Sequence, residues 1–188
     1  MTFTVYDLEY TAWPESQETS WGKENQHREI IAMAAIRVND GLRETDSFIR
    51  YMNPSQDVSD YIVDLTGISR ETIKNGESFS DALQSFNAFI DGAPAWSYGN
   101  DAVIIGENLA LNDCEELLPP TPLQNIKPFI NHADPTTTNV NSGALASHYS
   151  VDLDGEQHNP VYDARSILAA LNQLVHDEQL DAARLHRI

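Results

Sequence analysis

The segment Phe3-Thr4-Val5-Tyr6-Asp7-Leu8-Glu9-Tyr10 is the clearest indication of the fold of this chain. Its alternation predicts a β-strand, because successive side chains of a strand point to opposite faces. One face then carries Phe3, Val5, Asp7 and Glu9. Carboxylates are disfavoured in strands and costly to bury, so a pair on an apolar face indicates a neutralising partner such as a divalent cation. The competing interpretation places Asp7 and Glu9 beyond the end of the strand, in solvent.

Further apolar stretches predict the rest of a sheet. Residues 30–38 are apolar almost throughout, as in a central strand. Asp40-Gly41 is a hairpin signal, after which residues 42–51 return as a third strand. Additional strands or extended segments are predicted at 95–98 and 123–130, and helices at 60–65, 78–90, 100–111, 143–149 and 160–175.

This order of elements predicts an α/β fold, a mixed β-sheet flanked by α-helices. At 188 residues, the chain is long enough to bury a full core. We expect residues 1–188 to form a single domain, with residues 176–188 as a frayed, polar C-terminal tail.

Three more residues have side chains suited to chemistry. Asp101 and Asp163 each fall in the first turn of a predicted helix, where a negative charge interacts favourably with the helix dipole by about 0.3–1 kcal/mol. That interaction alone would explain an isolated aspartate. His158 precedes the helix-starting pair Asn159-Pro160, and a loop histidine is ordinarily solvated and idle. The offset from His158 to Asp163 and the order of the motifs favour a shared site instead.

The motifs Asp7-x-Glu9, Asp101 and His158-x-x-x-x-Asp163 resemble those of the DEDDh 3′–5′ exonucleases, the histidine branch of the DnaQ-like nucleases. Leu65-Thr66-Gly67-Ile68 is a further point of resemblance. The resemblance extends from Phe3 to about Val175. It implies a ribonuclease H-like fold and metal-dependent 3′–5′ hydrolysis of phosphodiester bonds at single-stranded RNA or DNA ends.

The resemblance also implies a role for each motif residue. Two divalent metal ions, Mg²⁺ or Mn²⁺, would be held by carboxylates, and His158 would be the general base. The implied metal ligands are Asp7, Glu9, Asp101 and Asp163. The residues implied to contact the terminal nucleotide are Thr11, Leu65 and Thr66. The family often has Thr-Thr-Gly or Ala-Thr-Gly after the first glutamate, whereas this chain has Tyr10-Thr11-Ala12.

The net charge of −18, from 29 acidic and 11 basic residues, is unusual for a protein that binds nucleic acid. It is compatible with a short single-stranded 3′ end held mainly by metals, with a local basic patch, or with adaptation to high salt. No apolar run approaches the ~20 residues that cross a bilayer, so no membrane partner is expected. The lone Cys114 and the absence of a signal-peptide pattern favour a cytoplasmic location. A homodimer is left open.

Two alternatives remain beside the main hypothesis. One is a DNA proofreading exonuclease that serves a polymerase, although no polymerase-binding feature is legible. The other is a catalytically idle ribonuclease H-like module used for protein binding, which the acidic charge favours and the intact five-residue set disfavours. The sequence leaves the preference for RNA or DNA open.

Overall fold

A five-stranded mixed sheet organises the computed structural model, which describes residues 2–23 and 26–181. The strands lie in the order β3-β2-β1-β4-β5. They are β1 (Phe3–Tyr10), β2 (Ile30–Val38), β3 (Glu44–Tyr51), β4 (Ala95–Ser97) and β5 (Leu123–Asn125). The first three pair antiparallel, whereas β4 runs parallel to both β1 and β5.

Helices flank this sheet, which confirms the predicted α/β class, a mixed β-sheet flanked by α-helices. They are α1 (Ser16–Thr19), α2 (Asp60–Thr66), α3 (Arg70–Lys74), α4 (Phe79–Ile90), α5 (Asp101–Leu111), α6 (Lys127–Ala133), α7 (Leu145–His148) and α8 (Pro160–His176). The sequence does not predict α1 and α3, because helices of four and five residues are too short to show a hydrophobic period. None of the helices in the described ranges is long and apolar enough to cross a membrane.

Several predicted boundaries differ from the structure, and two of these differences have a clear physical reason. The extended segment at 123–130 ends at Asn125, and α6 follows with Pro128 in its first turn, where the missing N–H of proline costs no helical hydrogen bond. The third strand begins at Glu44 rather than at residue 42. The side-chain oxygen of Asn39 accepts the N–H groups of Gly41 at 3.0 Å and Arg43 at 3.1 Å, which lengthens the turn.

The alternation of β1 divides the core into two layers. Phe3 and Val5 pack with α8 on one face, and Tyr6 and Leu8 pack with α4 and α5 on the other. The side chain of Trp96 on β4 is fully buried, with its ring centroid 4.5 Å from that of Phe3. Burial on both faces fixes the register of β1, because a slip of one residue would exchange the two faces.

The predicted frayed tail, residues 176–188, is only partly described. Leu180 is buried in the layer that contains α8, so the segment just beyond α8 is packed against the core. Residues 182–188 lie outside the described residues.

Candidate active site

Two parallel strands bring three carboxylates to one edge of the sheet. Thr4 and Val5 of β1 pair with Ala95 and Trp96 of β4, so both strands end at the same edge. Asp7 and Glu9 lie on the last part of β1. Asp101 is the first residue of α5, just after β4.

The N-terminus of α8 adds the other two candidate residues. Asn159 caps this helix, since its side-chain oxygen accepts the N–H groups of Val161 at 3.1 Å and Tyr162 at 3.3 Å. Asp163 lies in the first turn. His158 has a φ of 66°, a left-handed conformation that is uncommon outside glycine. Its backbone N–H donates to Oδ1 of Asp163 at 3.3 Å, which ties the histidine loop to the aspartate.

All five residues line one cleft of about 550 Å³. The carboxylate residues are 4–8% exposed, and His158 is half-buried. Glu9, His158 and Asp163 approach most closely, with one potential ligand atom of each lying within 4.8 Å of the others. The structure therefore brings together the five side chains that the sequence motifs single out. It also sets the histidine ring beside two carboxylates.

Burial is the main cause that raises the pKa of each of the four carboxylates. Burial, followed by the charges of the neighbouring acids, raises the pKa of Asp7 and Glu9 well above the ordinary range. Burial raises the pKa of Asp101 to about 6 and that of Asp163 to about 7. Burial lowers the pKa of His158, which favours the neutral imidazole that can accept a proton.

The donor set fits divalent metal ions. Magnesium and manganese prefer oxygen ligands, and four buried carboxylates line one cleft. Among the described residues, no lysine or arginine acts on the pKa of any of these carboxylates. The charge of the cluster is therefore compensated by protons or by cations from solution.

Gly143 and Ser142 are site residues that the sequence analysis missed. The hydroxyl of Ser142 lies 3.4 Å from Oδ2 of Asp163 and donates to it. A Cβ atom on Gly143 would lie 2.5 Å from Oδ1 of Asp163, well inside any normal contact. Gly143 thus leaves the space that the Asp163 carboxylate occupies. No local pattern marks this glycine, because its neighbour Asp163 lies 20 positions further along the chain, in α8.

The three residues proposed to contact the terminal nucleotide are not equivalent. Leu65 lines the cleft. Thr11 is fully buried, and its hydroxyl donates to the carbonyl oxygen of His27 at 2.6 Å. The hydroxyl of Thr66 donates within α2 to the carbonyl oxygen of Ile62 at 2.8 Å. The Thr11 hydroxyl therefore joins separate segments of the chain, the Thr66 hydroxyl caps a turn of its own helix, and neither side chain lines the cleft.

Two aromatic side chains at the cleft were not predicted as nucleotide contacts. Tyr61 of α2 is 38% exposed and lines the cleft beside Leu65. Tyr10, at the end of β1, lines the cleft next to Glu9, and burial raises its pKa to about 12. Aromatic rings in such positions can stack on bases.

The chain belongs to the RNase T exonuclease family, which matches residues 4–171. Membership of this exonuclease family agrees with the resemblance of the motifs to those of the DEDDh exonucleases. Among curated proteins, it is 26% identical over 186 residues to the PolC-type DNA polymerase III of Halalkalibacterium halodurans. That match covers 93% of this chain but only 11% of the polymerase. The chain thus spans about a tenth of the length of this curated relative.

Solved structures of low sequence identity share the fold. The nuclease domain of 3′hExo, a DEDDh family member bound to rAMP, superimposes with a TM-score of 0.76 at 18% identity, covering 94% of this chain and 92% of that one. Exonuclease X in complex with 5′ overhanging duplex DNA gives a TM-score of 0.66 at 14% identity, covering 98% of both chains. These likenesses support the assignment of the fold.

Proposed function

We propose that this chain, as a single domain, removes nucleotides from the 3′ ends of short single-stranded nucleic acids by a two-metal mechanism. The observation that carries the proposal is the convergence of four buried carboxylates and a half-buried histidine on one cleft. An idle interaction module has no physical need for such a cluster, because buried like charges destabilise the fold.

Each motif residue has a distinct role in this proposal. Asp7, Glu9 and Asp163 would hold one divalent cation, and Asp7 with Asp101 would hold the second. Divalent cations supply acidity to water and neutralise the charge that builds on the phosphate. His158 accepts the proton of the attacking water, and its lowered pKa keeps the ring neutral and ready to do so. The half-exposed loop position lets the ring pass that proton on to solvent.

The test uses single-stranded RNA and DNA of the same sequence, each labelled at the 5′ end. Incubation with Mg²⁺ or Mn²⁺ should give a ladder of fragments shortened from the 3′ end, and a chelator should abolish it. The Asp7→Asn protein, purified in parallel, is the control for a contaminating nuclease. Absence of a ladder with both metals, or shortening from the 5′ end, would refute the proposal.

A second candidate function has one observation in its favour. The similarity to PolC-type DNA polymerase III extends over 93% of the chain. A proofreading exonuclease acting on DNA beside a polymerase therefore remains the alternative. It predicts that the ladder assay shows a strong preference for DNA, and for a mismatched over a matched 3′ terminus.

A further inference from the structure

Arg28 is the only lysine or arginine among the described residues that line the cleft. Its side chain is 23% exposed. Because phosphate contacts supply most of the affinity of proteins for nucleic acid, a single cation beside an acidic site has a large effect on where the strand can run.

Arg28 belongs to a stack of side chains that leads away from the carboxylates. The Tyr10 and Trp21 ring centroids lie 5.8 Å apart. The guanidinium carbon of Arg28 lies 5.5 Å from the centroid of Trp21, in a cation–π arrangement. The stack therefore runs from Glu9, through two aromatic rings, to a positive charge. Aromatic rings and arginine together are the usual components of a single-strand binding surface.

The backbone beneath this stack is fixed by hydrogen bonds from distant residues. Asn108 of α5 donates to the carbonyl oxygen of Arg28 at 2.7 Å and accepts the N–H of Ile30 at 3.0 Å. The indole N–H of Trp21 donates to the carbonyl oxygen of Thr11 at 2.9 Å. Such bonds hold both side chains in place before a ligand arrives, which lowers the entropy cost of binding.

A second cavity continues beyond the stack. It measures about 250 Å³, and Trp21 and Arg28 line both it and the main cleft. Gln26, His27 and Asn108 line its far side. The two cavities therefore share one wall, and a strand that leaves the carboxylates along Tyr10 would pass over this wall.

We propose that Trp21 and Arg28 form a subsite for the nucleotides on the 5′ side of the terminal one, with Trp21 stacking on a base and Arg28 binding a backbone phosphate. The proposal rests on the proposed function, since it assumes that the terminal nucleotide lies at the carboxylates. It accounts for strand binding by a protein with so few cations, because one clamped arginine sits directly on the path.

Glu107 sets the strength of this subsite. Its carboxylate pairs with the guanidinium of Arg28 through two bonds, the Nε–Oε2 bond being 2.9 Å long. The Glu107 side chain is 44% exposed. It therefore orients Arg28 but also offsets part of the charge that a phosphate would meet. Removing this carboxylate should strengthen the phosphate contact.

The experiment compares the binding of unlabelled oligonucleotides of two, four and eight residues, each competing with a labelled strand. Calcium replaces the catalytic metal so that the strands stay intact. The variants are Arg28→Gln and Glu107→Gln. Arg50→Gln is the matched control. Arg50 lies on β3, its Nε is 3.1 Å from Oε1 of Glu77, and it does not line the cleft.

For the wild type, affinity should rise between two and eight residues. Arg28→Gln should weaken binding of the octamer by about tenfold, the usual effect of one lost charged contact, and leave the dinucleotide nearly unchanged. For this variant, the slope of log binding constant against log salt concentration should become shallower by about 0.7, the value for one phosphate contact with a single strand. Glu107→Gln should bind the octamer more tightly than the wild type, a gain that misfolding cannot produce.

The subsite would be overturned if Arg28→Gln lost the same affinity for the dinucleotide as for the octamer. It would also be overturned if both variants bound the octamer as the wild type does. Failure of the proposed function would look different: the wild type would give no 3′ ladder at all. A wild type that produces the ladder while both variants bind the octamer like the Arg50→Gln control would refute only the subsite.

Discussion

The floor and the outer wall of the cleft are stabilised in opposite ways. The floor consists of Asp7, Glu9, Asp101 and Asp163, whose buried like charges have no described lysine or arginine beside them. The outer wall consists of Tyr10, Trp21 and Arg28, and its charge is already paired with Glu107. The negative charge of the floor is therefore compensated by protons or cations from solution, whereas the positive charge of the wall is compensated by Glu107. Substitutions in the floor should lower activity without unfolding the protein, whereas those in the wall should change how the strand is held.

Loss of a floor carboxylate should have the largest effect. Asp7→Asn, Glu9→Gln, Asp101→Asn or Asp163→Asn is expected to abolish hydrolysis, because each removes a proposed metal ligand. The metal-free melting temperature should rise, since the burial cost of one charge disappears. Activity assays and thermal melts check this, with Asp46→Asn on the exposed edge of β3 as the control. Near-normal turnover of Asp101→Asn at saturating metal would remove Asp101 from the floor.

Replacement of His158 should come next. His158→Asn is expected to reduce the rate by about 10²–10⁴-fold, the usual contribution of a general base. Asparagine tolerates the left-handed backbone at this position, so strain should not confuse the result. The wild-type rate should rise with pH below the ordinary histidine value, because burial lowers the pKa of His158, and the variant should lose this limb.

Calorimetry with Mn²⁺ tests whether His158 is a general base or a metal ligand. Metal affinity of His158→Asn should stay close to that of the wild type if the ring acts as a base. A large loss of affinity would instead make the histidine a ligand beside Glu9 and Asp163, as their closeness allows.

A smaller effect is expected at Gly143. Gly143→Ala should push the Asp163 carboxylate aside and lower the rate by about tenfold or more, because a shift of about 1 Å at such a group is costly. The fold should survive, since the displaced group is the end of a side chain. Gly106→Ala is the matched control: a Cβ there meets nothing within 4 Å, and it should stabilise α5 by about 0.5–1 kcal/mol. Equal activity of the two variants would contradict the crowding at Asp163.

The pH dependence of stability should give the smallest change. The pKa values of Asp101 and Asp163 are raised to about 6 and about 7, so both groups favour the folded state below their ordinary value of 3.8. That contribution is lost progressively as the pH rises from their ordinary value of 3.8 through about 6 for Asp101 and about 7 for Asp163. The metal-free melting temperature should therefore fall over this range, and less steeply in Asp163→Asn. Parallel pH profiles for the two proteins would contradict the raised pKa of Asp163.

The floor was predictable from sequence because regular elements position its residues. The period of two in β1 places Asp7 and Glu9 on one face, and the start of a helix places Asp163. The hydrogen bonds that hold the wall in place were not predictable. Thr11 matches a family position, yet its buried hydroxyl also accepts the N–H of Glu29 at 3.0 Å, a residue 18 positions away. Asn108 lies 80 positions from Arg28, and no local pattern reveals such a pair.

The short pairing between β1 and β4 has a consequence for how the molecule opens. β1 pairs with β2 along its whole length, but with β4 only at Thr4 and Val5. A strand held by few backbone hydrogen bonds opens more easily than one paired along its whole length, although the buried side chains of β4 oppose this opening. Asp7 lies beyond this short pairing on β1, and Asp101 lies beyond it after β4. A cation bound by both carboxylates would link β1 to the segment that follows β4. Amide hydrogen exchange along β4 should therefore slow when metal is added.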